Sequence, residues 1–144
     1  MNTLIIEYSL DQVAMVAKQC AYFMQDISVV TLTGSLGAGK TSLVSAILKN
    51  WGVQGPVISP TFTYVNSYRL PEDGRQVYHF DLYRLETQSA FEQAGFNEYI
   101  YADKTICLVE WPEIIMPLLT HGVCHISIEF LGLEKRRLTC SLKK

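Results

Sequence analysis

The period at which apolar residues return changes along the chain, and each change marks an element. Residues 3–8 alternate weakly and are rich in β-branched side chains, which predicts an edge strand. Ser9-Leu10-Asp11-Gln12 has the S-x-x-Q spacing of a capping box. The apolar positions that follow, Val13, Val16, Ala17, Cys20 and Phe23, return at helical intervals and predict a helix to about Met24. Residues 27–33 form a short run rich in Val and Thr, typical of a buried strand in a parallel sheet. A glycine-rich loop comes next. Residues 41–51 then read as a helix with Leu43, Val44, Ile47 and Leu48 inward, and Gly52 as its stop.

Farther on, residues 61–68 and 76–82 read as two strands joined by the turn Pro71-Glu72-Asp73-Gly74, an antiparallel hairpin. Residues 87–94 predict a short helix that stops near Gly95. Thr105–Glu110 is an apolar strand ended by Pro112, and residues 114–119 predict another short helix. Val123–Phe130 and residues 137–142 read as a closing hairpin. No repeat, linker or low-complexity stretch interrupts the pattern. The expectation is one α/β domain over residues 1–144 with a mixed sheet.

Composition narrows the class. With 49% hydrophobic and 18% charged residues in 144, the chain reads as globular and able to bury a core without disulfides or metals. A net charge of −2 lacks the basic excess of a generic nucleic-acid or membrane binder. The cysteines, Cys20, Cys107, Cys124 and Cys140, form no C-x-x-C pair and lie in apolar runs. They read as buried thiols in a reducing compartment. The N-terminal residues have neither the basic region nor the apolar length of a signal peptide. No stretch approaches the roughly 20 apolar residues of a membrane span. A cytoplasmic location is expected.

The candidate chemistry starts in the loop. Gly34-Ser35-Leu36-Gly37-Ala38-Gly39-Lys40-Thr41 matches G-x-x-x-x-G-K-[ST] in full. Glycines let successive backbone N–H groups face one concave point where phosphate oxygens sit. Lys40 would bring a cation to the β- and γ-phosphates, and the Thr41 hydroxyl would ligate Mg²⁺. The positive end of the following helix adds to the anion site. Ser42 is a first-turn residue of that helix. ATP or ADP with Mg²⁺ is the expected ligand, and the absence of N-K-x-D favours adenine over guanine.

Binding alone needs no acid, but hydrolysis does. Asp81 ends the apolar run Val77-Tyr78-His79-Phe80, and Glu110 ends Ile106-Cys107-Leu108-Val109. Acids at the carboxyl ends of strands in an α/β sheet stand where ligands bind. Trp111 either packs near the nucleotide or covers the sheet end, and spacing leaves both open. Ser59-Pro60-Thr61-Phe62 is either a switch that senses the γ-phosphate or a plain loop-to-strand junction. His79, within a strand, reads as a packed structural residue rather than a general base. His121 and His125 receive no role. Lys135-Arg136-Arg137 reads as the solvated tip of the closing hairpin, with contact to RNA or an acidic partner as the sharper alternative.

Together these residues resemble the TsaE (YjeE) family, bacterial ATPases of tRNA threonylcarbamoyladenosine biosynthesis. Four motifs carry the resemblance in order: the glycine loop, Ser59-Pro60-Thr61-Phe62, His79-Phe80-Asp81-Leu82-Tyr83-Arg84-Leu85, and Glu110-Trp111-Pro112-Glu113. The resemblance implies a P-loop NTPase-like three-layer fold, its mainly parallel sheet flanked by antiparallel strands. It implies weak ATPase activity and action with TsaB and TsaD, which transfer threonylcarbamoyl to the adenosine following the anticodon. tRNA would be met only through that complex. It also implies that Lys40 holds phosphates, that Thr41 and Glu110 serve Mg²⁺, and that Asp81 supports hydrolysis. Trp111 would lie near the nucleotide, and the Ser59 and Asp81 segments would be switch-like. Ser35 stands where the family usually has Asp, and Ile114 where a charged residue often follows. The alternative is a P-loop small-molecule kinase. Such an enzyme usually carries an arginine-bearing lid, and neither residues 87–100 nor 114–119 contain an arginine.

Overall fold

The run at Val29–Thr33 lies in the middle of the sheet, as its composition predicts, and the remaining elements are arranged around it. The computed structural model describes residues 2–60 and 62–144. Among them the chain forms strands β1 (Thr3–Ser9), β2 (Val29–Thr33), β3 (Val65–Arg69), β4 (Gln76–Asp81), β5 (Thr105–Glu110), β6 (Val123–Phe130) and β7 (Lys135–Lys143). The α-helices are α1 (Val13–Phe23), α2 (Lys40–Asn50) and α3 (Gln88–Gln93). All the strands join one sheet in the order β1-β7-β6-β2-β5-β4-β3. β6, β2, β5 and β4 run parallel, while β1, β7 and β3 pair antiparallel toward the two edges.

Strand periodicity divides the core into two layers. Val30 and Leu32 of β2, with Leu108 of β5 and Ile126 of β6, pack toward Leu43, Val44, Ile47 and Leu48 of α2 and Val16, Ala17 and Cys20 of α1. Val29, Phe80, Cys107 and Val109 face the other way, toward Phe91 of α3 and Ile115. The result is a helix–sheet–helix sandwich. Each of the α2 aliphatics is fully buried, and burying such a side chain contributes about 1.5–3 kcal/mol. That face therefore holds the start of α2 firmly against the carboxyl ends of the central strands.

Several boundaries differ from the sequence expectation for physical reasons. The capping box is present, with Gln12 Oε1 accepting from the Ser9 N–H at 2.9 Å, but it caps a 3₁₀ turn (Leu10–Gln12) ahead of α1. The strand expected over 61–68 begins only at Val65. Tyr64 has φ 66° and donates its N–H to the Pro60 carbonyl, so the chain turns before it can pair. Thr61 lies outside the described residues. The helix expected over 114–119 is a 3₁₀ helix (Glu113–Leu118) carrying Pro117. Lys135, Arg136 and Arg137 are not a hairpin tip: they open β7, and Arg136 is buried.

The cysteines are free and buried, as expected. Burial pushes the Cys107 thiol up to about 12. Cys140 is also raised, by hydrogen bonding with Cys124 and Cys20 and by burial. None of the helices among the described residues is long and apolar enough to cross a membrane.

Candidate functional site

The site lies at the carboxyl ends of β2, β5 and β4, where an open α/β sheet leaves a crevice. β2 delivers the chain into Gly34, whose φ is 147°. A Cβ there would stand 2.7 Å from the Ile128 carbonyl oxygen, so only glycine lets the loop pass β6. Gly39, with φ 107°, is the N-cap of α2. The turn between them opens a cavity of about 310 Å³, lined by Leu36, Gly37, Ala38, Gly39, Lys40, Thr41, Ser42, Ser59, Asp81, Glu110 and Trp111. Gly34 and Ser35 are not among the lining residues; their carbonyls accept from Lys40 Nζ.

The acids reach the cavity by strand periodicity. Val77, His79 and Asp81 share one face of β4; Ile106, Leu108 and Glu110 share the same face of β5, toward α2. Asp81 and Glu110 are register partners across the parallel pair. Glu110 is only 2% exposed, and a buried carboxylate needs hydrogen-bond partners. It has them: the Thr41 hydroxyl donates to Oε1 and Oε2 at 3.0 Å each, and His79 Nε2 lies 2.6 Å from Oε2. His79 is fully buried, and its Nδ1 has no partner among the described residues. Packing holds the ring, and Glu110 is the hydrogen-bond partner it meets. Sequence reasoning left His79 as packing alone. Its place two residues before Asp81, on the same face, was the signal that it also points at the site.

Lys40 is buried rather than exposed, at 5%. Its ammonium stands 3.8 Å from the Trp111 ring centre, a cation–π contact. Burial pushes its pKa below the usual lysine range, opposed by the charges of Glu110, Asp81 and Glu113. A cation held in a partly dry place gains from an anionic ligand. Trp111 has φ 57°, a left-handed conformation that costs a bulky residue about 1–2 kcal/mol. Such strain collects at functional sites. The twist places its ring on Lys40 and at 4.7 Å from Tyr83.

Asp81 joins two segments. Ser59 Oγ donates to Oδ2 at 3.2 Å, and the Tyr83 N–H donates to Oδ1 at 3.1 Å. Beyond it, the Arg84 guanidinium lies 5.4 Å from the Phe62 ring, and Phe62, Ile58, Leu36 and Tyr83 are exposed. Exposed apolar side chains thus stand on the three loops that bring Leu36, Ser59 and Asp81 to the cavity.

Comparison with known proteins agrees with this arrangement. A profile of the family described as "Threonylcarbamoyl adenosine biosynthesis protein TsaE" matches residues 8–138. The chain is 41% identical over 102 residues to the tRNA threonylcarbamoyladenosine biosynthesis protein TsaE of Haemophilus influenzae, covering 71% of this chain and 63% of that one. It therefore spans just under two thirds of that relative's length. Proteins of the same description from Rickettsia typhi and Bacillus subtilis are 36% and 38% identical; these alignments cover 89% and 86% of this chain and 85% and 75% of theirs. The crystal structure of Bacillus subtilis YdiB matches with a TM-score of 0.76 and 29% identity, covering 99% of this chain and 86% of that one. The P-loop fold expected from the motifs is borne out, and the chain belongs to the TsaE family.

Proposed function

We propose that the chain binds ATP with Mg²⁺ in this cavity, hydrolyses it slowly, and acts with TsaB and TsaD in tRNA threonylcarbamoyladenosine formation in the cytoplasm, meeting tRNA only through that complex. The observation that carries the reading is the convergence of Lys40, Thr41, Asp81 and Glu110, from three elements, on the concave face of the glycine loop. Loop N–H groups and Lys40 hold the β- and γ-phosphates in this reading. Adenine is preferred to guanine, because no N-K-x-D is present to read guanine.

The donor set suits Mg²⁺. No group of three metal-ligating side chains occurs among the described residues. That agrees with a metal that takes one or two protein oxygens and completes its shell with phosphate and water. The Thr41 hydroxyl donates its hydrogen bond to Glu110, which leaves its oxygen lone pairs free to ligate. Glu110 serves the metal site through Thr41 and, by its charge, directly; His79 fixes its orientation. A Mg²⁺ held there by Thr41 and Glu110 would supply positive charge to offset that developing on the phosphates in transfer. Asp81 stands beside the Ser59 and Tyr83 segments, where it supports the attacking water and links γ-phosphate loss to the loops at the cavity mouth.

Those loops carry the proposed output. A γ-phosphate that accepts from the Ser59 hydroxyl would take that bond from Asp81 and so reorder both segments, as nucleotide switches do. The exposed Phe62, Tyr83 and Arg84 then form the docking surface. Calorimetric titration with a purified TsaB–TsaD pair tests this. Association is expected to be strong with a non-hydrolysable ATP analogue, weaker with ADP, and reduced by Arg84→Ala. Absence of association in every state, or equal affinity in all, contradicts the reading.

A further inference from the structure

We infer that Arg136 is a positioning residue of the phosphate loop: anchored on the β6–β7 turn, it fixes the peptide plane between Ala38 and Gly39 and so aims the Gly39 N–H into the cavity. The inference rests on the nucleotide-binding reading above and adds a residue to it.

Arg136 sits on β7 between Tyr8 of β1 and Phe130 of β6, and is 4% exposed. Its Nη1 donates to the carbonyls of Lys135, Gly132 and Leu133 at 2.9, 3.0 and 3.3 Å. The guanidinium carbon lies 4.1 Å from the Phe130 ring centre. One edge of the group is therefore locked to the turn and stacked in place. From the other edge, Nε donates to the Ala38 carbonyl at 3.1 Å, across 98 residues of sequence. A guanidinium is a planar, rigid fork, so fixing one edge fixes the other.

The consequence follows from peptide geometry. In a trans peptide the carbonyl of one residue and the N–H of the next point in opposite directions. Holding the Ala38 carbonyl toward β7 therefore turns the Gly39 N–H the other way, and Gly39 lines the cavity. Gly39 has no side chain to hold this plane, and a Cβ placed on it would touch nothing within 4 Å. The flanking planes are held locally, by the Ala38 N–H on the Ser35 carbonyl and the Leu43 N–H on the Gly39 carbonyl at 3.0 Å each, and Arg136 holds the plane between them. Among the described residues Arg136 has no carboxylate partner; its hydrogen bonds all go to carbonyls. Its positive charge thus stands behind the phosphate cradle uncancelled by an acid.

An N–H on a β-phosphate oxygen holds ground and transition states alike, so its loss should weaken binding and spare turnover. The test uses the whole chain with Arg136→Lys and Arg136→Gln. ADP and ATP dissociation constants in Mg²⁺ are read by calorimetry, turnover at saturating ATP by phosphate release, and folding by thermal melts. Lysine keeps the charge but cannot bridge turn and loop, and it covers the case in which glutamine fails to fold. Folded Arg136→Lys is expected to bind both nucleotides about 10-fold more weakly, the scale of one hydrogen bond to a charged group, with saturated turnover within about 2-fold of the parent. A variant that melts earlier yet binds with parental affinity overturns the inference, leaving Arg136 as a staple of the turn. So does lost turnover at unchanged affinity. A parent chain that binds neither nucleotide overturns the nucleotide reading instead.

Discussion

Thr41, His79 and Glu110 come from α2, β4 and β5 and meet at one carboxylate, and their roles are separable by substitution. Glu110→Ala removes the acceptor from Thr41 and from His79 together; Thr41 lines the cavity and can turn to water, but His79 is left buried and unpaired at about 1–3 kcal/mol. Glu110→Gln keeps an acceptor there while removing the charge. Both Glu110→Gln and Asp81→Ala are expected to lower ATP turnover by on the order of 10²-fold while changing nucleotide affinity far less. Charge that acts on metal or water in the transition state raises the rate, whereas phosphate contacts already hold the ground state. Phosphate release under single-turnover conditions measures it. Parental turnover in either variant would return that residue to a structural role. At this scale the sequence was informative where types are restricted by chemistry, as in the glycine loop and the strand-end acids. Spacing left Trp111 open between the nucleotide and the sheet end, because its left-handed backbone and its contact with Lys40 appear only once β5 and α2 are packed together.

Among the elements, period and composition located α1, α2 and the buried parallel strands, because burial on both faces demands unbroken apolar runs. They found both hairpins but misplaced the starts of β3 and β7. At β3, the backbone turn at Tyr64 delays pairing. At β7, three basic residues read as solvated, yet strand alternation sends Arg137 outward to Glu7 at 2.9 Å and Arg136 inward to the phosphate loop. A polar triplet hides its inward member when the partner is a carbonyl far away in sequence. Between β2 and β6 a second polar contact is testable. Thr31 Oγ1 lies 2.7 Å from His125 Nδ1, and burial, with the Lys143 charge, pushes the His125 pKa below its ordinary 6.5. The folded chain thus binds this proton less readily than the unfolded one. The contribution is complete above pH 6.5 and is lost as the pH falls through the folded pKa. Denaturant melts of the parent should lose stability over that acidic range more steeply than those of His125→Gln. Parallel curves would contradict the assignment.

Over the whole molecule, the sheet gathers the glycine loop, two acids, a strained tryptophan and the mouth loops at one edge, and a turn on the far hairpin braces that loop from behind. The four ordered motifs made the family legible because each serves the same edge. The brace was not legible, because it depends on the β6–β7 hairpin lying beside β2 and the glycine loop that follows it, which no local pattern reveals. The central claim is that Lys40 and the loop around it form a site for the phosphates of ATP. Calorimetric titration of ATP with Mg²⁺ into the parent and into Lys40→Ala tests it most directly, with a thermal melt of each to check folding, since Lys40 is buried. The account predicts saturable binding by the parent and a loss of affinity of about 10-fold or more in a folded Lys40→Ala, the scale of removing one charged partner. Equal affinity in the two folded proteins, or no binding by the parent, would contradict it.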